Sequence, residues 1–167
     1  MKKWLFALFA CLLGLDILSK IVAIQWIPPM IWSDPLYPFG GIGIFSDFFG
    51  ISCSLNYVIN TGAAWGVFAG HSGLLFSLRA AIIFGLILYL FFFQRGETPK
   101  LPLWLIVTGA VGNAIDYWLY RHVIDFIHFT FWGYTFPIFN LADSYITIGV
   151  MSLFLFSRRS KKQLQSL

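Results

Sequence analysis

Trp4-Leu-Phe-Ala-Leu-Phe-Ala-Cys11-Leu-Leu-Gly-Leu-Asp16-Ile-Leu-Ser-Lys20-Ile-Val-Ala-Ile-Gln-Trp26 decides how the remaining chain is read. Lys2 and Lys3 precede it, and Leu8-Phe9-Ala10-Cys11 lies inside it. A basic start followed by an apolar run has the outline of a cleavable secretory leader. The apolar stretch continues past Cys11 to Trp26, however, and about 20 apolar residues in a helix cross the hydrocarbon core of a bilayer. The segment is therefore expected to be a retained first transmembrane helix. Asp16 and Lys20 are four residues apart and share one helix face. Charge inside a spanning segment is costly and points to function by default. The plainer alternative is a neutralising ion pair that helps a single helix pack.

The composition agrees with a membrane protein. Hydrophobic residues make up 59% of the 167 residues and charged residues 11%, against roughly 25% charged in soluble domains. The net charge of +4 does not call for a nucleic-acid partner, because Lys and Arg in a membrane protein mark its cytoplasmic side. Cys11 and Cys53 are not expected to pair. His71, His122 and His128 are scattered, so neither a metal site nor a cofactor is expected.

Working outward, the whole chain, 1–167, reads as one domain: an all-α integral membrane protein with transmembrane helices at about 4–26, 73–93, 101–120 and 137–156. Residues 94–100 form a short polar link. The long connection 27–72 is rich in Pro, Gly and Ser, and Ile51–Tyr57 alternates in places like a strand. A surface strand region and a re-entrant loop both fit, and a small sheet on the outer membrane surface is favoured. Residues 121–136 are aromatic and amphipathic and are expected to lie in the interface. Lys2, Lys3, Arg95, Lys100, Arg158, Arg159, Lys161 and Lys162 all fall on one side of this topology. Both termini are thus expected in the cytoplasm, with 27–72 and 121–136 outside. Arg79 lies within helix two and is expected to snorkel.

Three further acids complete the set. Asp116 is near the outer end of helix three, and Asp125 follows in the outer segment. Asp143 is the seventh residue of a helix starting at Pro137, about 9 Å below its outer end at 1.5 Å per residue. Asp125 and Asp143 thus share one boundary. Two close carboxylates hold one proton between them, because like charges so near do not both ionise easily. The ionised member then takes a proton from water while the protonated one polarises a carbonyl. Asn60, Asn113 and Asn140 stand at outer loop–helix boundaries and carry both donors and acceptors for an extended peptide. Gly62, Gly109 and Gly112 would permit close backbone approach. Taken singly, each Asn and Gly fits turn or cap chemistry equally well.

Together these residues resemble the lipoprotein signal peptidase (signal peptidase II) family. Asp16-Ile-Leu-Ser-Lys20 is similar to its first-helix motif and Asn60-Thr-Gly-Ala-Ala-Trp-Gly66 to its second. Gly112-Asn-Ala-Ile-Asp116 with Val123-Ile-Asp-Phe126 is similar to the third. Phe136-Pro-Ile-Phe-Asn-Leu-Ala-Asp-Ser144 is similar to the fourth, and the blocks stand in family order. The resemblance implies a bacterial inner-membrane aspartic endopeptidase that cuts prolipoprotein signal peptides before a diacylglyceryl-cysteine. It implies Asp125 and Asp143 as catalytic, with Asn60, Gly62, Asn113 and Asn140 binding substrate or orienting the pair. Asp16, Lys20 and Asp116 would support the site. No cofactor is implied. Membrane lipids and globomycin-type cyclic peptides are implied as partners. In one place the chain departs from the family pattern: Tyr117 stands where the family usually carries Arg, and Arg121 where it carries Gly. If helix three ran one turn further, 117 and 121 would share a face and Arg121 would partly replace the missing cation; the alternatives are that Arg121 points to lipid head groups, or that the Tyr117 hydroxyl itself donates a hydrogen bond. Two other readings compete. One is a small proton-coupled transporter, which intramembrane acids would suit; the other is a non-catalytic assembly subunit whose polar residues hold helices together.

Overall fold

A computed structural model of the chain describes residues 3–27, 41–61, 72–93 and 100–165. Gly62, Arg95 and parts of the long connection lie outside the described residues, as does the side chain of Arg79. Four helices are present: α1, Lys3–Trp26; α2, Ser72–Leu88, continued by a π-helical turn Tyr89–Phe93; α3, Lys100–Tyr120; and α4, Leu141–Gln165. A four-stranded antiparallel sheet crosses one end of the helices, with β1, Ile42–Phe48; β2, Ile51–Asn60; β3, Val123–Phe131; and β4, Tyr134–Thr135, in the order β1-β2-β3-β4.

α1 inverts the pattern of a soluble helix. Its buried residues are Leu5, Asp16, Lys20 and Ala23, while Leu15, Leu18, Val22 and Trp26 are exposed. Polar inside and apolar outside is what a lipid solvent selects, because ionisable groups there must face the bundle interior. By length and composition α1 is able to cross a membrane, with a mean hydropathy of 2.2; the apolar part of α4, Leu141–Phe156, is shorter. Away from the sheet, Leu5, Leu90, Leu103, Trp104 and Val107 form an apolar core. Phe6 and Phe9 meet the Trp104 ring edge-on, at centroid distances of 5.1 and 5.6 Å. At the other end Ala23 of α1 and Ile27, just beyond it, pack with Ile124 and Phe126 of β3. This fixes the sheet to the helix ends.

α3 and α4 lie very close. A Cβ on Gly109 would strike the carbonyl oxygen of Ala142, and one on Gly112 would strike the carboxylate of Asp16. The close backbone approach expected at Gly109 is made by α4, and at Gly112 the close neighbour is the Asp16 side chain.

Two element readings also change. Residues 121–136 are not a separate interfacial segment. Val123-Ile-Asp-Phe-Ile-His-Phe-Thr-Phe131 pairs with β2 over its length, Ile51 opposite Phe131 and Asn60 opposite Val123. β-branched and aromatic residues in this density favour a pleated strand, and their amphipathicity is that of a sheet. A buried cluster, with Asn56 Nδ2 donating to Ser54 Oγ at 2.8 Å and Ser54 Oγ 3.3 Å from His128 Nδ1, pins β2 to β3. Helix four begins at Leu141 rather than Pro137, because Asn140 caps it.

Candidate active site

Asn140 organises the site. It is fully buried, and as N-cap of α4 its Oδ1 accepts the backbone N–H of Asp143 at 2.9 Å. In return Asp143 Oδ2 accepts the backbone N–H of Asn140 at 3.4 Å. This is a reciprocal capping box, in which the third helical residue satisfies the cap's own amide. Asp143 is thus the third residue of α4, not the seventh, and it sits at the positive end of the helix dipole, where negative charge is stabilised. The Nδ2 of the same Asn140 donates to Asp125 Oδ1 at 2.8 Å, to Asn113 Oδ1 at 3.1 Å and to the carbonyl of Ile124 at 3.2 Å. One amide side chain therefore bridges the cap of Asp143 to the carboxylate of Asp125.

The remaining oxygens are held from other elements. Asn60, at the end of β2, donates to Asp125 Oδ2 at 2.9 Å. Asn113 of α3 donates to Asp143 Oδ1 at 2.8 Å. Beneath them Lys20 is buried, and its ammonium meets Asp16 Oδ2 at 2.7 Å, Asp116 Oδ2 at 2.8 Å and Asn113 Oδ1 at 3.2 Å. Three acceptors match the three donors of an ammonium. Asp16 also reaches across to accept the backbone N–H of Ala142 at 2.9 Å, and Asp116 accepts that of Ile124 at 3.3 Å. The pair on α1 is thus more than an intrahelical neutralisation. It caps α4, ties α3 to β3, and orients Asn113 toward Asp143.

Asp125 is 2% exposed. Burial pushes its carboxyl up to about 6; the Asn60 hydrogen bond opposes this, and the nearby charge of Asp143 adds to it. Asp125 and Asp143 both line a cleft of about 660 Å³, with Asn60, Phe136, Pro137, Ile138, Phe139, Ser144, Thr147 and Ile148 around them. The size is that of a ligand site. The cleft wall Phe136–Phe139 opens the fourth of the family-like blocks, but the sequence assigns these four residues no role in the site. Aromatic and Pro residues ahead of a cap carry no signal of which way they face.

The structure thus brings together Asn60, Asn113, Asp125, Asn140 and Asp143, with Asp16, Lys20 and Asp116 behind them. Arg121 does not join them. α3 stops at Tyr120, and Arg121 is exposed in the left-handed region at φ 65°. Its N–H closes the last turn on the carbonyl of Tyr117 at 2.9 Å. The helix does not continue, so the expected shared face and the compensating cation are corrected. A family Gly at this position fits a helix-terminating residue with positive φ.

An apolar helix exterior around a carboxylate pair, Asp125 buried and Asp143 half-buried, that opens on a cleft fits a membrane enzyme. Two solved structures described as bacterial membrane enzymes share the fold. One has a TM-score of 0.72 at 25% identity, covering 95% of this chain and 88% of that one; the other has a TM-score of 0.70 at 26% identity, covering 92% and 90%. Residues 8–159 match the family model for signal peptidase (SPase) II, and the chain belongs to that family. A lipoprotein signal peptidase of Gloeothece citriformis is 37% identical over 99% of this chain and 96% of its own length. One of Synechocystis sp. is 40% identical over 83% and 78%, respectively. The match to the Bacillus subtilis lipoprotein signal peptidase is 41% identical and spans 58% of this chain and 63% of that relative.

Proposed function

We propose that this chain is an aspartic endopeptidase that removes signal peptides from diacylglyceryl-cysteine prolipoproteins, with Asp125 and Asp143 as its catalytic pair. The observation that carries this reading is the Asn140 bridge, which holds both carboxylates on one cleft. Asp125, buried and raised to about 6, holds the shared proton. Asp143, at the α4 N-terminus, takes a proton from water. The resulting hydroxide attacks the scissile carbonyl carbon while Asp125 donates to the carbonyl oxygen. Collapse of the tetrahedral intermediate then breaks the C–N bond as the proton taken up by Asp143 passes to the leaving nitrogen and Asp125 recovers its proton from the intermediate's hydroxyl. Asn60, Gly62, Asn113 and Asn140 hold the substrate or the pair, and Asp16, Lys20 and Asp116 support them.

The same reading places the chain in the bacterial inner membrane as one domain with four spans and both termini cytoplasmic. The site end of the molecule holds the C-terminal ends of α1 and α3 and the N-terminus of α4. Lys3 and Lys100 begin α1 and α3 at the opposite end. Basic residues mark the cytoplasmic side, so the cleft opens outside. Membrane lipids surround the helices, and globomycin-type cyclic peptides compete for the cleft.

The test is cleavage by purified protein of a diacylglyceryl-cysteine precursor and its non-lipidated twin. Acyl chains contribute roughly 0.8 kcal/mol per buried CH₂, so the lipidated form should be strongly preferred. Asp125→Asn and Asp143→Asn should each lower the rate by at least about 10²-fold, the low end for positioned acid–base catalysis, while still inserting in membranes. Equal turnover of both precursors, or near-normal cleavage by either variant, overturns the corresponding part of the proposal.

A further inference from the structure

The segment Phe136–Asn140 forms one wall of the cleft and also belongs to the sheet. Phe139 exchanges two hydrogen bonds with Ile127 of β3, its N–H donating to the Ile127 carbonyl at 3.0 Å and its carbonyl accepting at 2.8 Å. The Phe136 N–H donates to the Phe129 carbonyl at 2.9 Å. Between the pairs Thr130–Thr135 and Ile127–Phe139, β3 advances three residues and the facing segment four. One extra residue is therefore accommodated at Pro137–Ile138, which is a β-bulge. Bulges occur beside active sites, where they re-aim backbone and side chains.

The chain holds no cis peptide among the described residues, and in a trans peptide the C=O points opposite to the following N–H. The Phe139 N–H points at β3, so the Ile138 carbonyl points away from it. The Phe139 carbonyl points at β3, so the Asn140 N–H points away, and it reaches Asp143 Oδ2 at 3.4 Å. The Ile138 carbonyl and the Asn140 N–H therefore face the same side, that of the proposed catalytic carboxylate, within one two-residue repeat of roughly 6–7 Å.

Part of this segment's backbone is already engaged, while among the described residues no hydrogen bond engages the Phe136 and Pro137 carbonyls or the Ile138 N–H. Pro137 has no N–H. The Phe136, Phe139 and Asn140 amides are used as described, and the Asn140 carbonyl accepts from Ser144 N and Oγ at 3.3 and 3.1 Å. Among the described residues no hydrogen bond engages the Ile138 carbonyl, although Ile138 lines the cleft. A backbone acceptor half-buried beside apolar side chains calls for a donor.

We propose that the Ile138 carbonyl is a substrate-positioning group: it accepts a backbone N–H of the extended substrate, which adds to the Phe136–Asn140 edge as a further strand and so carries the scissile bond to Asp143. Main-chain pairing of this kind recognises a peptide without regard to its side chains. A peptidase acting on signal sequences of varied composition needs recognition of that type. The inference rests on the peptidase reading above.

The experiment uses the full-length protein and a diacylglyceryl-cysteine precursor in which single backbone amides, three on each side of the scissile bond, are replaced in turn by esters. An ester keeps the shape and removes the N–H. One position within about two residues of the scissile bond should raise KM about 2- to 12-fold, the range for one net hydrogen bond. kcat should stay unchanged, because the bond is made equally in ground and transition states. Replacing Phe139 by its α-hydroxy acid turns the Ile138 carbonyl into a weaker, ester acceptor. Combined with the sensitive substrate, this enzyme should show a penalty smaller than the sum of the two single penalties. Cleavage of the all-amide precursor with a flat ester scan overturns the inference, as do additive penalties. No cleavage of the all-amide precursor instead overturns the peptidase reading. If the altered enzyme does not fold, the substrate scan with the natural enzyme still decides.

Discussion

Asn140 performs two separable tasks, and substitutions at that position pull them apart. Its Oδ1 caps α4 through the Asp143 amide, and its Nδ2 holds Asp125 at 2.8 Å and Asn113 at 3.1 Å. Asn140→Ser keeps a capping oxygen of nearly equal quality but has no amide to reach Asp125. Asn140→Ala removes both functions. Loss of a hydrogen bond to the protonated Asp125 corresponds to about 0.5–1.5 kcal/mol, so both variants should lose about 2- to 12-fold in kcat/KM at 1.36 kcal/mol per decade. The cap contributes about 1 kcal/mol more, so Asn140→Ala should also melt measurably below Asn140→Ser in the same detergent. The assays are cleavage of a lipidated precursor and thermal unfolding by intrinsic fluorescence. A Ser variant with wild-type kcat/KM would refute the bridge to Asp125. Ala and Ser variants of equal thermal stability would refute the capping box.

Three further outcomes follow from the same geometry. Asp125, raised to about 6 against an ordinary value near 4, binds more protons folded than unfolded between those limits. Its contribution to stability is therefore full below about pH 4 and is lost as pH rises through about 6; kcat/KM should also decline through that upper limit as the pair loses its shared proton. The wild-type-minus-Asp125→Asn difference in melting temperature should show the stability slope, and no difference across that window would contradict the burial argument. Lys20→Met leaves Asp16 and Asp116 buried without their cation and should cost about 3–5 kcal/mol; Lys20→Met with Asp116→Asn should recover part of the melting temperature, and no recovery would show that the acids are not coupled through Lys20. Arg121→Gly should raise stability by roughly 1 kcal/mol, because Gly carries no penalty for positive φ, and should leave cleavage rates unchanged; slower cleavage would restore the idea that Arg121 contacts substrate.

Much of the architecture was legible because lipid imposes simple rules. A spanning helix must be long and apolar, and an ionisable residue inside one must face inward. Asp16 and Lys20 are legible by that rule alone, as are the approximate limits of the segments that became α1, α2 and α3. The strand-like alternation at Ile51–Tyr57 marked what became β2. The start of α4 was misplaced because Pro137 is acceptable both inside a first helical turn and just before a cap. Only the reciprocal hydrogen bonds of Asn140 and Asp143 distinguish the two. Residues 121–136 were misassigned because an aromatic amphipathic stretch suits an interface and a sheet equally until a partner strand is present.

What the chain determined by itself is the inventory: two cations, Lys20 and Arg79, within apolar segments, four acids within or beside them, three asparagines at their ends, and the solvent those segments require. Local spacing carries that information, since helix faces and hydropathy depend only on neighbours in sequence. What only the tertiary structure decided is which acids face the cleft and which lie beneath it. Asp16 and Asp116 became partners of Lys20, while Asp125 and Asp143 became partners of Asn140. Each of those choices joins elements far apart in the chain. They are settled by the requirement that every buried charge find its hydrogen bonds, a condition that no single segment meets alone.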